Sequence, residues 1–256
     1  MMPKKILLLS ILTVLTVIGM MLQTQDSPAL TRYLLLLNTT IILFICTWVG
    51  VDSARTFTFK SAFGKSLFYI SIGLLSWGLG NLVWFFYNIS GSEVPYPSLA
   101  DIGYLGTIPF AAYGLFLLLK SVKVKLDAKT VAKVIIPPLL VFLVIFPIFI
   151  YEKLFEEVPM LTKILNVVYP LGDVVFLSFA LAILTITYGS MLFKSLGIIS
   201  LGFIIEAVAD FAFSYTTSIG AYYTASWVDI IFTIAFFTIG FGMYHMSKSM
   251  KEVAKK

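Results

Sequence analysis

The sequence predicts an all-α, polytopic membrane protein of about eight transmembrane helices, with residues 1–256 forming a single integral membrane domain. Of the residues, 59% are hydrophobic and only 12% are charged, whereas soluble domains carry about 25% charged residues. The mean hydropathy is +0.98. A membrane crossing takes roughly 20 mostly apolar residues, and eight such segments nearly fill the chain.

The first half of the chain contains four apolar runs of this length. The predicted spans are 6–23, 33–51, 66–87 and 101–120. The first span follows two lysines, and the fourth opens with Asp101 and contains Pro109. A proline inside a helix removes one backbone hydrogen bond, so we expect a kink in the fourth span.

The second half contains four more runs. The predicted spans are 134–151, 164–188, 195–216 and 225–247. The fifth carries Pro137, Pro138 and Pro147, and the sixth carries Pro170, so kinks are expected there too. The gaps between spans reach about a dozen residues at most, which is the length of a connecting loop. A soluble catalytic or DNA-binding domain therefore has no place in this plan.

The first apolar run also allows a second interpretation. Lys4 and Lys5 precede the run from Ile6 to Leu22, as in a secretory signal peptide. Against this alternative, the run is long for a signal sequence, and the residues after it lack the small-residue cleavage pattern. Cys46, the single cysteine, lies within the second span and is expected to be a packing residue.

The basic residues indicate how the helices are oriented. If the amino terminus is cytoplasmic, 15 of the 18 lysines and arginines fall on the cytoplasmic side, and only Arg32, Lys153 and Lys163 fall on the other. Basic residues in short loops favour the cytoplasm. We therefore expect a multi-pass protein of the cell membrane with both termini cytoplasmic. The net charge of +5 reflects this topology and predicts no nucleic-acid partner.

A spacing of residues recurs in the two halves of the chain. Tyr87 precedes Asp101 by fourteen residues, and Tyr215 precedes Asp229 by the same number. Asn81 lies a few residues before Tyr87, and Asp210 lies a few residues before Tyr215, so the two occupy similar heights in their helices. The sequence therefore suggests a parallel repeat of four helices plus four, an arrangement that some transporters show.

Five acidic residues within the spans are the candidate functional groups. They are Asp101, Asp173, Glu206, Asp210 and Asp229. All are predicted in the outer half of the bundle, where an ionisable group is costly and usually faces the interior. Because Glu206 and Asp210 are four residues apart, they share one helix face. Two carboxylates this close require a shared proton or a bound cation.

Polar and aromatic residues are predicted to surround these acids. They are Asn81, Tyr104, Tyr113, Tyr169, Tyr215, Tyr223, Trp77, Trp84 and Trp227. The segment from Tyr169 to Asp173 places a carboxylate directly after Pro170 and is the best single candidate site. An acidic pocket with aromatic walls suits a cation, an amine or another protonatable ligand. No cofactor is evident from a motif, but Asp173, Glu206 and Asp210 are the residues that would hold a divalent cation.

Structural roles compete with this interpretation. Asp101 and Asp229 stand near span starts, where a carboxylate stabilises the helix terminus. Aromatic residues near the outer rim also form interfacial belts. Asp173 and Asp210 are predicted deeper in the membrane. The single histidine, His245, excludes a zinc site built from several histidines, and no hydrolase or nucleotide-binding motif is present.

Three stretches of the sequence resemble a known membrane module. They are Tyr96 to Asp101 with Gly103-Tyr104-Leu105 and Tyr113-Gly114-Leu115, then Tyr169 to Asp173, and finally Ala209-Asp210 through Gly220, Tyr222 and Tyr223 to Asp229. Together they resemble the multi-span sensor module at the amino terminus of some bacterial diguanylate cyclases of the GGDEF type. Phe232 departs from that pattern, which tends to have tryptophan there.

The resemblance implies a membrane domain that senses a ligand or a membrane state and signals to a cytoplasmic effector. About nine residues follow the last predicted span, too few for a cyclase. Signalling is therefore expected to require a separate cytoplasmic effector protein. The lipid bilayer is the other expected partner. The small-molecule or lipid ligand is not identified by the resemblance.

Three functions remain open from the sequence. The first is a non-enzymatic, sensor-like protein whose ligand contacts Asp173 and Asp210, with Asp101, Asp229, Glu206, Asn81, Tyr169 and Tyr215 in support. The second is a lipid hydrolase that uses paired carboxylates or a metal ion, although no nucleophile arrangement is recognisable. The third is a cation-coupled or proton-coupled transporter, which the acids and broken helices suggest.

Overall fold

The computed structural model describes residues 4–91, 94–122 and 128–253, and these form helices joined by short loops. There are eight α-helices in the described ranges: α1 (Lys4–Met21), α2 (Ala29–Phe57), α3 (Ala62–Ile89), α4 (Ala100–Ser121), α5 (Ala128–Ile145), α6 (Met160–Thr187), α7 (Phe193–Ser218) and α8 (Trp227–Val253). Seven are long and apolar enough to cross a membrane, and the apolar stretch 135–150 is shorter. The polytopic helical bundle predicted from the sequence is therefore confirmed.

The fifth span is less regular than the others. After α5 the chain continues as a π-helical turn, Phe146–Ile150, and then a short 3-10 helix, Glu152–Leu154. Pro147 lies in the π-helical turn, where its missing N–H interrupts the α-helical hydrogen bonds. By contrast, Pro137 and Pro138 lie within α5, and Pro109 and Pro170 lie within α4 and α6.

The bundle contains two helical hairpins, the first formed by α3 and α4 and the second by α7 and α8. Helices α3 and α4 pack tightly against each other, as do α7 and α8. Helix α2 then contacts both α3 and α8, while α6 contacts both α7 and α4. The central core is apolar and includes buried rings such as Phe176, Phe203 and Phe236. Because α6 touches α4 and α7, it lies between the two hairpins.

Polar contacts identify the two ends of the bundle. At the end that we call the terminal end, Lys5 of α1 pairs with Asp52 of α2. Thr56 of α2 lies there too, with its hydroxyl 3.0 Å from the hydroxyl of Ser247 on α8. At the opposite end, called the distal end, the hydroxyl of Tyr223 donates to the carbonyl oxygen of Gln23 at 3.4 Å.

The two hairpins pack by means of glycines at corresponding positions. Each of four glycines brings its own helix so close to the partner that an added Cβ would lie within 3.2 Å of the partner's backbone nitrogen. The contacts are Gly73 with Ala111 and Gly114 with Ile70 in the first hairpin, and Gly202 with Ile239 and Gly242 with Ile199 in the second. The second pair of contacts lies 128 or 129 residues after the first. These matched contacts support the four-plus-four repeat, which stays a prediction.

Candidate functional site

Three carboxylates from two neighbouring helices meet inside the bundle. Asp173 belongs to α6, and Glu206 and Asp210 belong to α7. One oxygen from each side chain lies within 4.8 Å of the oxygens of the other two. Among the described residues, this is the one group of three or more acidic, histidine or cysteine side chains with the spacing of a metal site. We call these three residues the acid triad.

The acid triad is withdrawn from the surface. Asp173 is 5% exposed and Glu206 is 2% exposed, and Asp210 is partly buried. Asp173 lies halfway along the 28 residues of α6, and Glu206 halfway along the 26 residues of α7. The sequence placed Asp173 nearer the outer end of its helix. The difference arises because α6 starts at Met160, directly after Pro159, and so includes a first turn that was assigned to the loop.

The acid triad contains a buried oxygen that lacks a hydrogen-bond partner in the described residues. One carboxyl oxygen of Asp210 lies within 4.8 Å of an oxygen of Asp173 and of an oxygen of Glu206. The second oxygen of Glu206, Oε2, is buried and has no hydrogen-bond partner in the described part of the chain. A buried polar atom without a partner costs about 1–3 kcal/mol. An ion, a water molecule or a proton at this point would remove that cost.

Among the described residues, no ion pair joins a basic side chain to the acid triad. The ion pairs found in the described part of the chain join Lys5 and Arg55 to Asp52, Lys153 to Glu156, and Lys248 to Glu252. None of them includes a triad residue. Since like charges this close repel strongly at low dielectric, the three groups cannot all be ionised without a compensating cation.

Close helix packing brings Asp173 to its position. Gly172, the preceding residue, lies where a Cβ would come within 2.7 Å of the side chain of Ile108 on α4. Next along α6, Phe176 packs against Phe203 of α7, with ring centroids 5.3 Å apart. Helix α6 is thus held against α4 and α7 on both sides of Asp173. Neither contact follows from the helical periodicity of α6 alone.

Asp101 and Asp229 lie at helix starts, outside the acid triad. The backbone N–H of Ser98 donates to Asp101 Oδ2 at 2.6 Å, and that of Ser226 donates to Asp229 Oδ2 at 3.1 Å. In return, the hydroxyl oxygens of the two serines accept from backbone N–H groups at the helix starts. These reciprocal bonds resemble a capping box. They support the structural role that the sequence analysis considered for both acids.

Tyrosine hydroxyls complete the environment of these two acids. Tyr169 of α6 donates to Asp101 Oδ1 at 2.6 Å. Tyr222 lies 3.3 Å from both carboxylate oxygens of Asp229. The sequence analysis did not select Tyr222 for this role, or Ser98 and Ser226. The Ser-x-x-Asp spacing directly before each span was the signal that could have identified the two serines.

A chain of polar contacts covers the distal end beside α6. The hydroxyl of Tyr96 donates to Asn166 Oδ1 at 2.8 Å, and Asn166 in turn donates to Glu156 Oε2 at 3.0 Å. Partial desolvation of Tyr96, which is half-exposed, together with the nearby charges of Asp101 and Glu156, raises the pKa of its hydroxyl to about 12. Tyr96 therefore stays a hydrogen-bond donor at neutral pH, which fixes the α3–α4 loop on α6.

The other predicted pocket residues are divided between the interior and the surface. Asn81 is buried and accepts a hydrogen bond from the hydroxyl of Tyr104 at 3.0 Å. Trp77 packs against Tyr104, with ring centroids 5.3 Å apart. By contrast, Tyr215 is 61% exposed and Trp227 is 54% exposed. A role for Tyr215 and Trp227 in ligand binding stays a prediction.

The donor set of the acid triad determines which chemistry it can carry out. Three carboxylates provide only oxygen ligands, which hard cations such as Mg²⁺ and Ca²⁺ prefer. Such ions hold oxygens at about 2.0–2.6 Å, so two ligands of one ion lie up to roughly 5 Å apart. The spacing within 4.8 Å fits this limit. The same groups could instead share protons.

Comparison of the chain with models of protein families, with curated proteins and with solved structures gives no match.

Proposed function

We propose that this membrane protein is a sensor-like, ligand-binding bundle and that its ligand is a cation held by the acid triad. One observation carries the proposal: three carboxylates meet within 4.8 Å between α6 and α7, with no basic side chain paired to them in the described residues. A bound cation would neutralise their repulsion and give Glu206 Oε2 a partner.

The position of the acid triad supports a sensing role. Its residues join α6 to α7, and α6 also contacts α4 of the first hairpin. An ion that draws Asp173 toward Glu206 and Asp210 would therefore change how α6 sits between the two hairpins. A ligand can shift a conformational equilibrium only through such a difference in contacts. The stretches resembling the GGDEF-associated sensor module supply Asp173 and Asp210, two of the three carboxylates.

The experiment is thermal unfolding of the full chain in detergent, first with chelator and then with Mg²⁺, Ca²⁺ or Mn²⁺. At about a hundred times its dissociation constant, a bound ion stabilises the fold by roughly 2.7 kcal/mol. Wild type is expected to gain this stability from at least one ion. Asp173→Asn is expected to lose the gain because it removes one of three carboxylates.

The matched control is Asp26→Asn, which removes the same charge from an exposed position in the α1–α2 loop. This variant should respond to the ion as wild type does. An equal response in Asp173→Asn would assign the stabilisation to another site. If no ion stabilises wild type, the cation proposal fails, and proton sharing accounts for the acid triad.

A transporter coupled to cations or protons is the second candidate. The observation that favours it is the mid-helix position of Asp173 and Glu206, since transporters bind coupling ions near the bilayer midplane. Reconstituted liposomes with an ion-sensitive dye inside would measure flux. Flux that depends on protein and is lost in Asp173→Asn would favour transport, whereas ion binding without flux would favour sensing.

A further inference from the structure

A surface cleft lies away from the acid triad, near the terminal end of the bundle. Its volume is about 370 Å³, and it is lined by Phe59, Lys65, Phe68, Tyr69 and Tyr113. Phe59 belongs to the α2–α3 loop, the next three residues to α3, and Tyr113 to α4. The cleft therefore lies on the outer surface of the first hairpin, where that hairpin meets the loop.

The walls of this cleft are aromatic. The rings of Phe59 and Phe68 meet edge to face with centroids 5.4 Å apart. Those of Tyr69 and Tyr113 meet in the same manner at 4.7 Å. Phe68 and Tyr69 contact each other at 5.7 Å, so the rings form one continuous wall. Phe59 and Tyr113 remain exposed on the surface of the bundle.

Lys65 gives the cleft its charge. It is exposed, it is the one charged residue lining the cleft, and it takes no part in the ion pairs found in the described ranges. Aromatic walls alone would suit a quaternary ammonium group. The ammonium group of Lys65 opposes such a ligand and instead favours an anion.

The direction of the cleft is that of a lipid lying along the bundle. Lys65 stands in the first turn of α3, at the terminal end. Tyr69 follows one turn later, about 6 Å further along the helix axis. Tyr113 of the antiparallel α4 contacts Tyr69 at this level, and the exposed ring of Phe116, which stacks on Tyr113, lies one turn back toward the terminal end. A charged head at Lys65 would thus continue into an apolar chain along the tyrosine rings.

We propose that this cleft binds an anionic phospholipid, with the phosphate on the Lys65 ammonium group and an acyl chain against the rings of Tyr69 and Tyr113. Charge complementarity selects the head, because a lysine at the membrane surface attracts anionic lipid by about 1 kcal/mol. The aromatic walls select a lipid over a soluble anion. None of the lining residues belongs to the acid triad, so the proposal stands independently of the cation site.

The test uses the full chain in detergent, with phosphatidylglycerol added in increasing amounts and thermal unfolding as the measurement. Phosphatidylglycerol is expected to stabilise wild type more than phosphatidylcholine does. The concentration for half-maximal stabilisation should rise about fivefold in Lys65→Gln, as about 1 kcal/mol implies. Lys65→Arg, which keeps the charge, should restore most of the response.

The matched control is Lys60→Gln, an exposed lysine beside Phe59 that does not line the cleft. It should respond as wild type does. An equal fivefold loss in this control would show that the lipid responds to general surface charge and would overturn the proposal. Equal stabilisation by both lipids would overturn it as well. Stabilisation by inorganic phosphate alone would assign the cleft to a soluble anion.

Discussion

Buried carboxylates in this protein fall into two classes that differ in their hydrogen-bond donors. Asp101 accepts from the N–H of Ser98 and the hydroxyl of Tyr169, so both of its oxygens have partners. Glu206 has one buried oxygen that finds no hydrogen-bond partner among the residues the structure describes. Because unsatisfied buried oxygens are costly, the first class stabilises the fold, while the second favours binding of a cation or a proton.

The first prediction concerns the hydroxyl of Tyr169. Tyr169→Phe removes the donor 2.6 Å from Asp101 Oδ1 and leaves a buried carboxylate oxygen unsatisfied. We expect the free energy of unfolding in detergent to fall by about 1–3 kcal/mol. Tyr188→Phe serves as control, since that side chain at the opposite end of α6 is 80% exposed. Equal stability of the two variants would contradict the assigned role of Tyr169.

Residue patterns predicted some of the site but not its assembly. The four-residue spacing correctly put Glu206 and Asp210 on one face of α7, since this depends only on helix geometry. The sequence analysis also grouped Asp173 with them as a possible cation ligand, but it could not give the distances, because these depend on how Gly172 packs on Ile108 and Phe176 on Phe203. Such contacts are set by three-dimensional packing between distant segments.

At the scale of helices, close packing at glycine holds the hairpins together. A Cβ at Gly114 would lie 2.9 Å from the backbone nitrogen of Ile70 and 2.9 Å from the carbonyl oxygen of Ser66. The hydroxyl of Ser66 also donates to the carbonyl oxygen of Gly114 at 2.7 Å. Small residues at membrane helix interfaces permit this approach and the hydrogen bonds that accompany it.

The second prediction compares two glycine-to-alanine changes within helices. Alanine favours helix by about 1 kcal/mol over glycine, so an unhindered change should stabilise the protein. At Gly197 the added Cβ would meet only Leu184, at an ordinary 3.5 Å. We expect Gly197→Ala to leave stability unchanged or raise it. Gly114→Ala should lower it by about 1–3 kcal/mol through overpacking.

Thermal unfolding of both variants in the same detergent provides the measurement. If Gly114→Ala were as stable as Gly197→Ala, the close contact between α3 and α4 would not be rigid, and the packing account would be wrong. Hydropathy predicted the positions of the helices, but their ends differ from the predicted spans by up to about six residues, because helices such as α2 and α8 continue past their apolar stretch into polar residues. The π-helical turn Phe146–Ile150 was not predicted, because proline predicts a break without specifying which local geometry replaces the α-helix.

At the scale of the molecule, the charge distribution predicts the orientation in the membrane. The loop between α1 and α2 should face outward, and the end of α8 should face the cytoplasm. We expect Asp26→Cys to react with a membrane-impermeant maleimide on intact cells, in a background carrying Cys46→Ser. Lys251→Cys should react only after permeabilisation. Both residues are exposed, and the reverse labelling pattern would contradict the predicted topology.

The predicted repeat aligns two acid-triad positions with uncharged residues of the first half. Asn81 in the first hairpin stands 129 residues before Asp210, and Trp77 stands 129 before Glu206. If the predicted repeat holds, the first half carries an amide and an indole at the positions of two triad carboxylates. Only the second half would then contain the acid triad, although both hairpins have glycine contacts at corresponding positions.

Direct binding of Mn²⁺ tests the central claim most directly. Electron paramagnetic resonance of the full chain in detergent would count bound and free Mn²⁺ during a titration. The account predicts one site per chain in wild type and at least tenfold weaker binding in Glu206→Gln, since the loss of even an outer-shell partner weakens metal binding 10–100-fold. Asp26→Asn should bind as wild type does. Absent binding, or equal binding in Glu206→Gln, would contradict a cation site at the acid triad.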